Sequence, residues 1–186
     1  MAFVSSRTPP KKLALHHKFS TIEPLIVEAK FGKHDVVVVG IYRPPKSIGE
    51  QYYLRLEEEL NDICTFSSLQ KQIIIVLGDL NLDRLRPERR EAKIFFDLED
   101  IHGYSCLIDK TTRITDHSQT LLDIILTNEP YLFQGCDVFN PELSDHALVY
   151  GILKIKATYH PSKIITFRNL KSINEEELKY DLHMAP

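Results

Sequence analysis

Four polar side chains stand at the ends of two apolar runs of the chain: Asp79, Asn81, Asp145 and His146. The first two follow the apolar run 73–77, and the other two directly precede the apolar run 147–150. A carboxylate, an amide, a second carboxylate and an imidazole at the mouths of two strands can hold a divalent metal ion and activate water. The pattern therefore predicts a site for such chemistry where the two strands meet.

Asp79 and Asn81 are two residues apart, so both side chains point to one side if the strand continues through them. There they can orient a water molecule and hold a phosphoryl oxygen. The alternative is a plain turn, because Gly-Asp and Asn are favoured turn residues. Asp145 can ligate a hard cation such as Mg²⁺, which prefers oxygen ligands, although one carboxylate makes a weak cage.

Asp123 lies inside the apolar segment 121–126, which is predicted to be a buried strand. An ionised carboxylate costs several kcal/mol there unless it is paired and hydrogen-bonded. One interpretation is a structural carboxylate satisfied within the core. The other is a pair with His146, in which the carboxylate fixes the tautomer of the imidazole and raises its basicity, as a general base requires.

Two further short segments carry groups suited to phosphate contact. Tyr42 and Arg43 end a strand rich in valine, and a phenol beside a guanidinium can bind phosphate. Thr112 and Arg113 offer a hydroxyl and a cation in a polar segment. The alternatives are a surface turn packed on the prolines after Arg43 and an ordinary polar loop.

The composition is that of a soluble globular protein with one sizeable core: 186 residues, 43% hydrophobic and 26% charged. The net charge of −3 gives no support for nucleic-acid binding, although four arginines cluster at positions 84, 86, 89 and 90. The N-terminus lacks a secretory signal, no run approaches membrane-spanning length, and three scattered cysteines lack zinc spacing. We expect an intracellular protein, nuclear or cytoplasmic, with free thiols and no membrane partner.

The elements that must position these residues follow from the apolar patterning. The predicted strands are 25–31 and 36–42 as a hairpin, 72–77, 106–108, 120–127 and 147–155, and the predicted helices are 48–66 and 88–101. Segments 1–12 and 111–119 read as irregular or turn-like. This order predicts a layered α/β sandwich, because the phosphate loops of the competing βαβ nucleotide folds are missing. Residues 1–158 are predicted to form the domain, and 159–186 a linker or tail with a short helix.

Five blocks, taken in order, resemble the endonuclease/exonuclease/phosphatase superfamily, and most closely the apurinic-like endonuclease domain of LINE-type, non-LTR retrotransposons. The blocks are Ile41-Tyr42-Arg43-Pro44-Pro45, Leu77-Gly78-Asp79-Leu80-Asn81, Thr112-Arg113-Ile114, Ser118-Gln119-Thr120-Leu121-Leu122-Asp123 and Leu143-Ser144-Asp145-His146. The resemblance covers residues 25–155. The tail also resembles the linker that leads to the reverse transcriptase in those elements, which implies such a downstream partner.

The resemblance implies a four-layered α/β sandwich and Mg²⁺-dependent hydrolysis of DNA phosphodiester bonds at a target site. Asp79 would orient the attacking water and Asn81 would stabilise the phosphoryl oxygens. Asp123 would orient His146 at the reacting phosphate, and Asp145 would lie on the metal side. By the same resemblance Tyr42 would contact phosphate and Thr112 would approach the scissile strand, with Arg43 and Arg113 as further substrate-binding candidates.

One departure from the superfamily pattern concerns the N-terminal region. Members of the superfamily begin with a strand bearing Asn and a strand ending in a metal-binding Glu, and neither matches here. The first glutamates, Glu23 and Glu28, belong to the predicted hairpin. We therefore expect an N-terminally truncated domain that lacks its first strands and its main metal ligand, with impaired catalysis. The alternative function is a non-catalytic remnant that binds a partner through its incomplete edge.

Overall fold

Strands and helices alternate along the chain, and the computed structural model describes residues 10–15, 18–45, 49–71, 73–154 and 174–184. The strands are β1 (Lys11–Leu13), β2 (Glu23–Phe31), β3 (His34–Tyr42), β4 (Ile73–Asp79), β5 (Ser105–Cys106), β6 (Arg113–Thr115), β7 (Ser118–Thr120), β8 (Asp123–Thr127), β9 (Phe133–Phe139) and β10 (Leu148–Leu153). The helices are α1 (Glu50–Gln70), α2 (Arg90–His102) and α3 (Glu175–Met184).

The main sheet has six strands in the order β1-β2-β3-β4-β8-β5. β3 and β4 run parallel and are joined by α1, whereas β8 inserts antiparallel beside β4. Two smaller antiparallel pairs, β6–β7 and β9–β10, stand apart from this sheet. Apart from the partly buried Val38 and Ile73, the β-branched residues of β3 and β4 have almost no exposed surface, as expected for central strands covered on both faces.

The helices are placed by amphipathic stripes. One stripe of α1 is buried, comprising Tyr53, Leu56, Leu60, Ile63 and Cys64. α2 ends at Gly103, whose backbone is left-handed with φ 65°, a conformation that glycine adopts at little cost. These two helices and the sheet bury one continuous apolar core.

Most predicted elements are confirmed within a few residues, including the β2–β3 hairpin, α1, β4, α2 with its Gly103 end, β5, β8 and β10. The prediction of a turn-like segment at 111–119 is wrong, because these residues form the β6–β7 hairpin. The prediction of an irregular segment over 1–12 is wrong at its end, where Lys11 pairs with β2. The apolar pattern does not predict β9, because its sequence FQGCDVF is interrupted by Gln, Gly and Asp.

The C-terminal helix α3 is capped by Asn174, whose Oδ1 accepts hydrogen bonds from the N–H groups of Glu176 and Glu177. The predicted boundary between residues 158 and 159 lies outside the described residues. No described helix is both long enough and apolar enough to cross a membrane. Cys64, Cys106 and Cys136 are free thiols.

Candidate active site

Two acidic side chains of the predicted site face each other across neighbouring strands. The antiparallel register of β4 and β8 places Asp79 opposite Asp123. On the other side of β4, Tyr42 of β3 is the register partner of Asp79. Register partners point to the same face of a sheet, so the phenol and both carboxylates share one face. Tyr42 is 44% exposed and can be reached from solvent.

His146 reaches this face from the segment just before β10. A β-bridge between Arg113 and His146 holds that segment against the β6–β7 hairpin. His146 Nδ1 lies 2.9 Å from Asp123 Oδ2. Because a carboxylate accepts hydrogen bonds, Nδ1 is the donor in this pair, and Nε2 of the imidazole is left unengaged by Asp123. The half-buried Asp123 thus has the imidazole partner that the sequence predicted.

Asn81 fixes the orientation of the Asp79 carboxylate. Its backbone N–H donates to Asp79 Oδ1 at 2.9 Å, and its Nδ2 donates to Asp79 Oδ2 at 3.1 Å. Nδ2 also donates to the carbonyl oxygen of Arg43 at 2.8 Å. Asn81 has φ 49°, and Asn tolerates this left-handed conformation better than most residues. Asp79 and Asn81 thus form a turn, as one of the two interpretations predicted, and the same turn holds the Asp79 carboxylate in a fixed orientation.

Negative charge is concentrated at this point of the sheet. Burial raises the pKa of Asp79 by more than the backbone hydrogen bond from Asn81 lowers it, and neighbouring Asp123 raises it further. Ligand atoms of Asp79, Asp123 and His146 lie within 4.8 Å of one another. A divalent cation would offset two adjacent carboxylates, and the oxygen preference of Mg²⁺ matches two of these three residues. The side chains present therefore fit a Mg²⁺-type ion held by carboxylate oxygens beside the imidazole.

The backbone at position 78, directly before Asp79, accepts only a glycine. Its φ of 146° disfavours other residues, and a Cβ added there would lie 1.8 Å from the carbonyl oxygen of Ile41. Only a residue without a side chain lets β4 pass β3 this closely. The residue before Asp79 thus sets the position of the carboxylate.

The sequence profile described as endonuclease-reverse transcriptase matches residues 36–150, which is more than half of the chain and includes every residue of the site. The chain belongs to the endonuclease-reverse transcriptase family. No curated protein sequence matches this family member.

Solved structures similar to this endonuclease-reverse transcriptase chain share its fold at low sequence identity. The endonuclease domain of TRAS1, a telomere-specific non-LTR retrotransposon, is 15% identical with a TM-score of 0.52, over 73% of this chain and 64% of that domain. Humanized TDP2 of D. rerio is 13% identical with a TM-score of 0.53, over 78% and 67%. Beta toxin of Staphylococcus aureus is 14% identical with a TM-score of 0.54, over 70% and 57%. The α/β endonuclease/exonuclease/phosphatase fold is therefore the one predicted, and the chain spans 64% of the TRAS1 domain.

Two residues predicted to bind substrate have buried, structural positions in this family member. Arg43 is 4% exposed, and its Nη1 donates to the carbonyl oxygens of Leu80 and Asn81. Thr112 is fully buried, and its hydroxyl accepts from the N–H groups of Leu122 and Asp123 at 3.0 Å. Arg43 thus holds the loop after β4, and Thr112 holds the start of β8. A motif shows which residue types recur, but it does not show which of them are buried.

Asp145 and Arg113 pair with each other beside the site. Arg113 Nε donates to Asp145 Oδ2 at 2.8 Å, and this hydrogen bond lowers the pKa of Asp145. Asp145 is outside the group formed by Asp79, Asp123 and His146. Asp145, which was predicted to lie on the metal side, is therefore paired with Arg113.

An open groove of about 330 Å³ leads from Asp79 and Asp123 along β10. Its apolar wall includes Leu77, Leu148 and Tyr150, which are 39%, 57% and 40% exposed. Exposed apolar side chains grouped in this way mark surfaces that bind other molecules.

Proposed function

We propose that this chain hydrolyses phosphodiester bonds in DNA with the help of Mg²⁺. The observation that carries the proposal is the juxtaposition of Asp79 with an Asp123–His146 pair joined at 2.9 Å. Membership of a family described as endonuclease-reverse transcriptase supports a nucleic-acid substrate. The likeness to the TRAS1 protein, an endonuclease domain from a non-LTR retrotransposon, supports target-site nicking as the reaction class.

The residues of the site divide the work of a hydrolysis between them. Asp79, fixed by Asn81, orients the attacking water through a carboxylate oxygen. Asp123 holds the Nδ1 proton of His146, so that Nε2 faces the reacting phosphate and can accept or return a proton. Tyr42 contacts the phosphate oxygens from the exposed side. A bound Mg²⁺ would supply electrostatic stabilisation of the developing negative charge.

The tail is proposed to link this nuclease unit to a reverse transcriptase. The name of the family joins both activities, and the chain continues beyond β10 into residues that include α3. We assign residues 1–158 to the nuclease unit and 159–186 to the linker. Expression of the full element, with and without the tail, would show whether the two activities remain coupled.

Plasmid nicking tests the proposed activity directly. The chain is incubated with supercoiled plasmid in Mg²⁺ or in EDTA, and conversion to the open circle is measured over time. His146→Ala should lower the Mg²⁺-dependent rate by at least about 100-fold, because the general acid–base group is lost. The control is His34→Ala, at the opposite end of β3 from Tyr42. Equal background rates from the unchanged chain and His146→Ala would refute the proposal.

A second candidate function is the binding of a protein partner without catalysis. The exposed apolar wall of the groove, formed by Leu77, Leu148 and Tyr150, favours it. Light scattering combined with an apolar dye distinguishes the two functions. A dye-negative monomer that nicks DNA excludes the second candidate, whereas an inactive, dye-binding or self-associating chain supports it.

A further inference from the structure

A second cavity adjoins the site at Asn81. It has a volume of about 190 Å³ and is lined by Asn81, Asp83, Arg89, Arg113, Thr120 and Leu122. Since one water molecule occupies about 30 Å³ in the liquid, the cavity has room for about six waters or for a phosphodiester group. Asn81 belongs to both the cavity and the site, so a group bound here lies next to the reacting phosphate.

The first basic group of the cavity comes from the arginine cluster that the sequence shows between β4 and α2. Three of its members are committed to acidic side chains: Arg84 with Glu99, Arg86 with Asp83, and Arg90 with Glu50 and Glu57. The side chain of Arg89 makes no hydrogen bond or ion pair with any residue that the structure describes, and it lines the cavity. Arg89 is thus the member of the cluster whose charge is available to a ligand.

The second basic group is Arg113, at the start of β6. Asp145 holds it by Nε alone, at 2.8 Å. Its two terminal nitrogens donate to no group within the described ranges. A guanidinium tethered at Nε keeps its remaining fork in a fixed orientation, which suits bidentate binding of a phosphate. Asp145 is therefore a positioning residue for Arg113.

The one acidic side chain in the cavity wall, Asp83, is already satisfied by the protein. Its Oδ1 accepts from the N–H groups of Leu85 and Leu121 at 3.2 Å, and its Oδ2 lies 3.8 Å from Arg86 Nε. The charge that the wall presents to a ligand is therefore positive.

We propose that Arg89 and Arg113 bind a backbone phosphate of the DNA strand adjacent to the phosphate that is cleaved. The proposal rests on the proposed function for its ligand, and it names the part of the surface that holds the substrate. A contact of this kind fixes the register of the strand without reading its sequence.

DNA binding without cleavage tests this subsite. A labelled DNA duplex is titrated in EDTA at several salt concentrations, from about 50 to 200 mM, and the slope of log K against log salt is measured. Arg89→Ala should weaken binding roughly 10-fold, equally for unrelated sequences, and reduce the slope by about one. The double variant Arg89→Ala, Arg113→Ala should reduce the slope by about two.

Arg86→Ala is the matched control, because Arg86 lies in the same loop but is paired with Asp83. It should bind within about 2-fold of the unchanged chain. An unchanged slope in Arg89→Ala, an equal loss in the control, or no DNA binding by the chain would each overturn the subsite. Nicking by the unchanged chain and by His146→Ala is measured separately. If the unchanged chain binds DNA through the subsite but does not nick it, the result contradicts the proposed function and leaves the subsite intact.

Discussion

Glu59 and Asp79 are both carboxylates enclosed by the protein, but their surroundings lower the pKa of Glu59 and raise the pKa of Asp79. Glu59 of α1 is 1% exposed and accepts five hydrogen bonds: four from the N–H and hydroxyl groups of Ser20 and Thr21, and one from Arg55 Nε at 3.3 Å. Burial alone would raise the pKa of Glu59, but these donors outweigh it and lower the pKa to about 2. The charge of Glu59 is thus completely solvated by the chain itself.

Asp79 has fewer internal donors and a carboxylate for a neighbour. Within the described residues, the hydrogen bonds to its carboxylate come from Asn81 alone, and Asp123 lies opposite it. Burial therefore raises the pKa of Asp79, and Asp123 adds to the effect. A charge satisfied from inside the chain stabilises the fold, whereas a carboxylate short of donors has a raised pKa and can be offset by a bound cation. On the proposed function, this difference separates the structural carboxylate of Glu59 from that of Asp79.

The largest effect should come from breaking the site without disturbing the fold. Asp123→Asn should lower the nicking rate by about 10²- to 10⁴-fold, because an amide no longer holds the Nδ1 proton of His146 in one orientation. Its thermal unfolding should stay close to that of the unchanged chain. Asp35→Asn, at the far end of β3, serves as the control. A rate loss matched by an equal loss of folded protein would contradict the assignment.

Glu59 should show the reverse behaviour, with a large effect on stability and none on the chemistry. The lowered pKa corresponds to about 3 kcal/mol of stability at neutral pH, and Glu59→Ala also leaves the donors of Ser20 and Thr21 unpaired. Urea unfolding should show a loss of at least about 3 kcal/mol, against about 0.5 kcal/mol or less for the exposed neighbour in Glu58→Ala. Similar losses of unfolding free energy in Glu59→Ala and Glu58→Ala would contradict the structural role of Glu59.

Added Mg²⁺ should stabilise the chain through the site. At ten times the dissociation constant, a ligand that binds only the folded state adds about 1.4 kcal/mol to the free energy of unfolding. The shift should disappear with EDTA and in Asp79→Asn, and it should persist in Glu58→Ala. Differential scanning calorimetry measures all four cases. A shift that survives Asp79→Asn would place the ion elsewhere.

The smallest effect is the one that Asp79 has on the pH dependence of stability. The contributions of Asp79 and Glu59 to this dependence have opposite signs. Glu59, with its lowered pKa, contributes stability that is present above pH 4.5 and is lost as the pH falls towards about 2. Asp79, with its raised pKa, favours the folded state below its unfolded value near 3.8, and this contribution is lost as the pH rises through the folded pKa.

Asp79→Asn should consequently gain slightly in stability at neutral pH in the absence of metal, by less than Glu59→Ala loses. Unfolding midpoints at several pH values should show this gain shrinking towards acid pH. A variant that is less stable at neutral pH than the unchanged chain would mean that the hydrogen bonds of Asp79 outweigh its desolvation.

The sequence predicts the site best where a residue contradicts its surroundings. A carboxylate in the apolar run 121–126 requires a hydrogen-bonding partner, and the partner of Asp123 is His146. Glu59 gives no such signal. In the helical pattern of α1, a buried glutamate cannot be told apart from the exposed glutamates beside it. Its donors, Ser20 and Thr21, lie about forty residues earlier in the sequence, and no local rule connects them.

Burial and pairing are the properties that the sequence could not supply. Arg43 and Arg113 carry the same group in similar motifs, yet one is buried under the loop after β4 and the other is partly open to solvent. In the same way, four neighbouring arginines look alike until their acidic partners are known. Each of these outcomes depends on side chains from distant elements, which only the tertiary structure brings together.

The strand order of the main sheet also decides when the site can exist during folding. The paired residues of β3 and β4 are 37 apart in sequence, whereas those of β4 and β8 are 44 to 52 apart. β8 reaches β4 only after the chain has passed through α2, β5 and the β6–β7 hairpin. An intermediate built from β3, α1 and β4 alone has Asp79 but neither Asp123 nor the imidazole it orients. The site is therefore complete only once β8 has paired with β4.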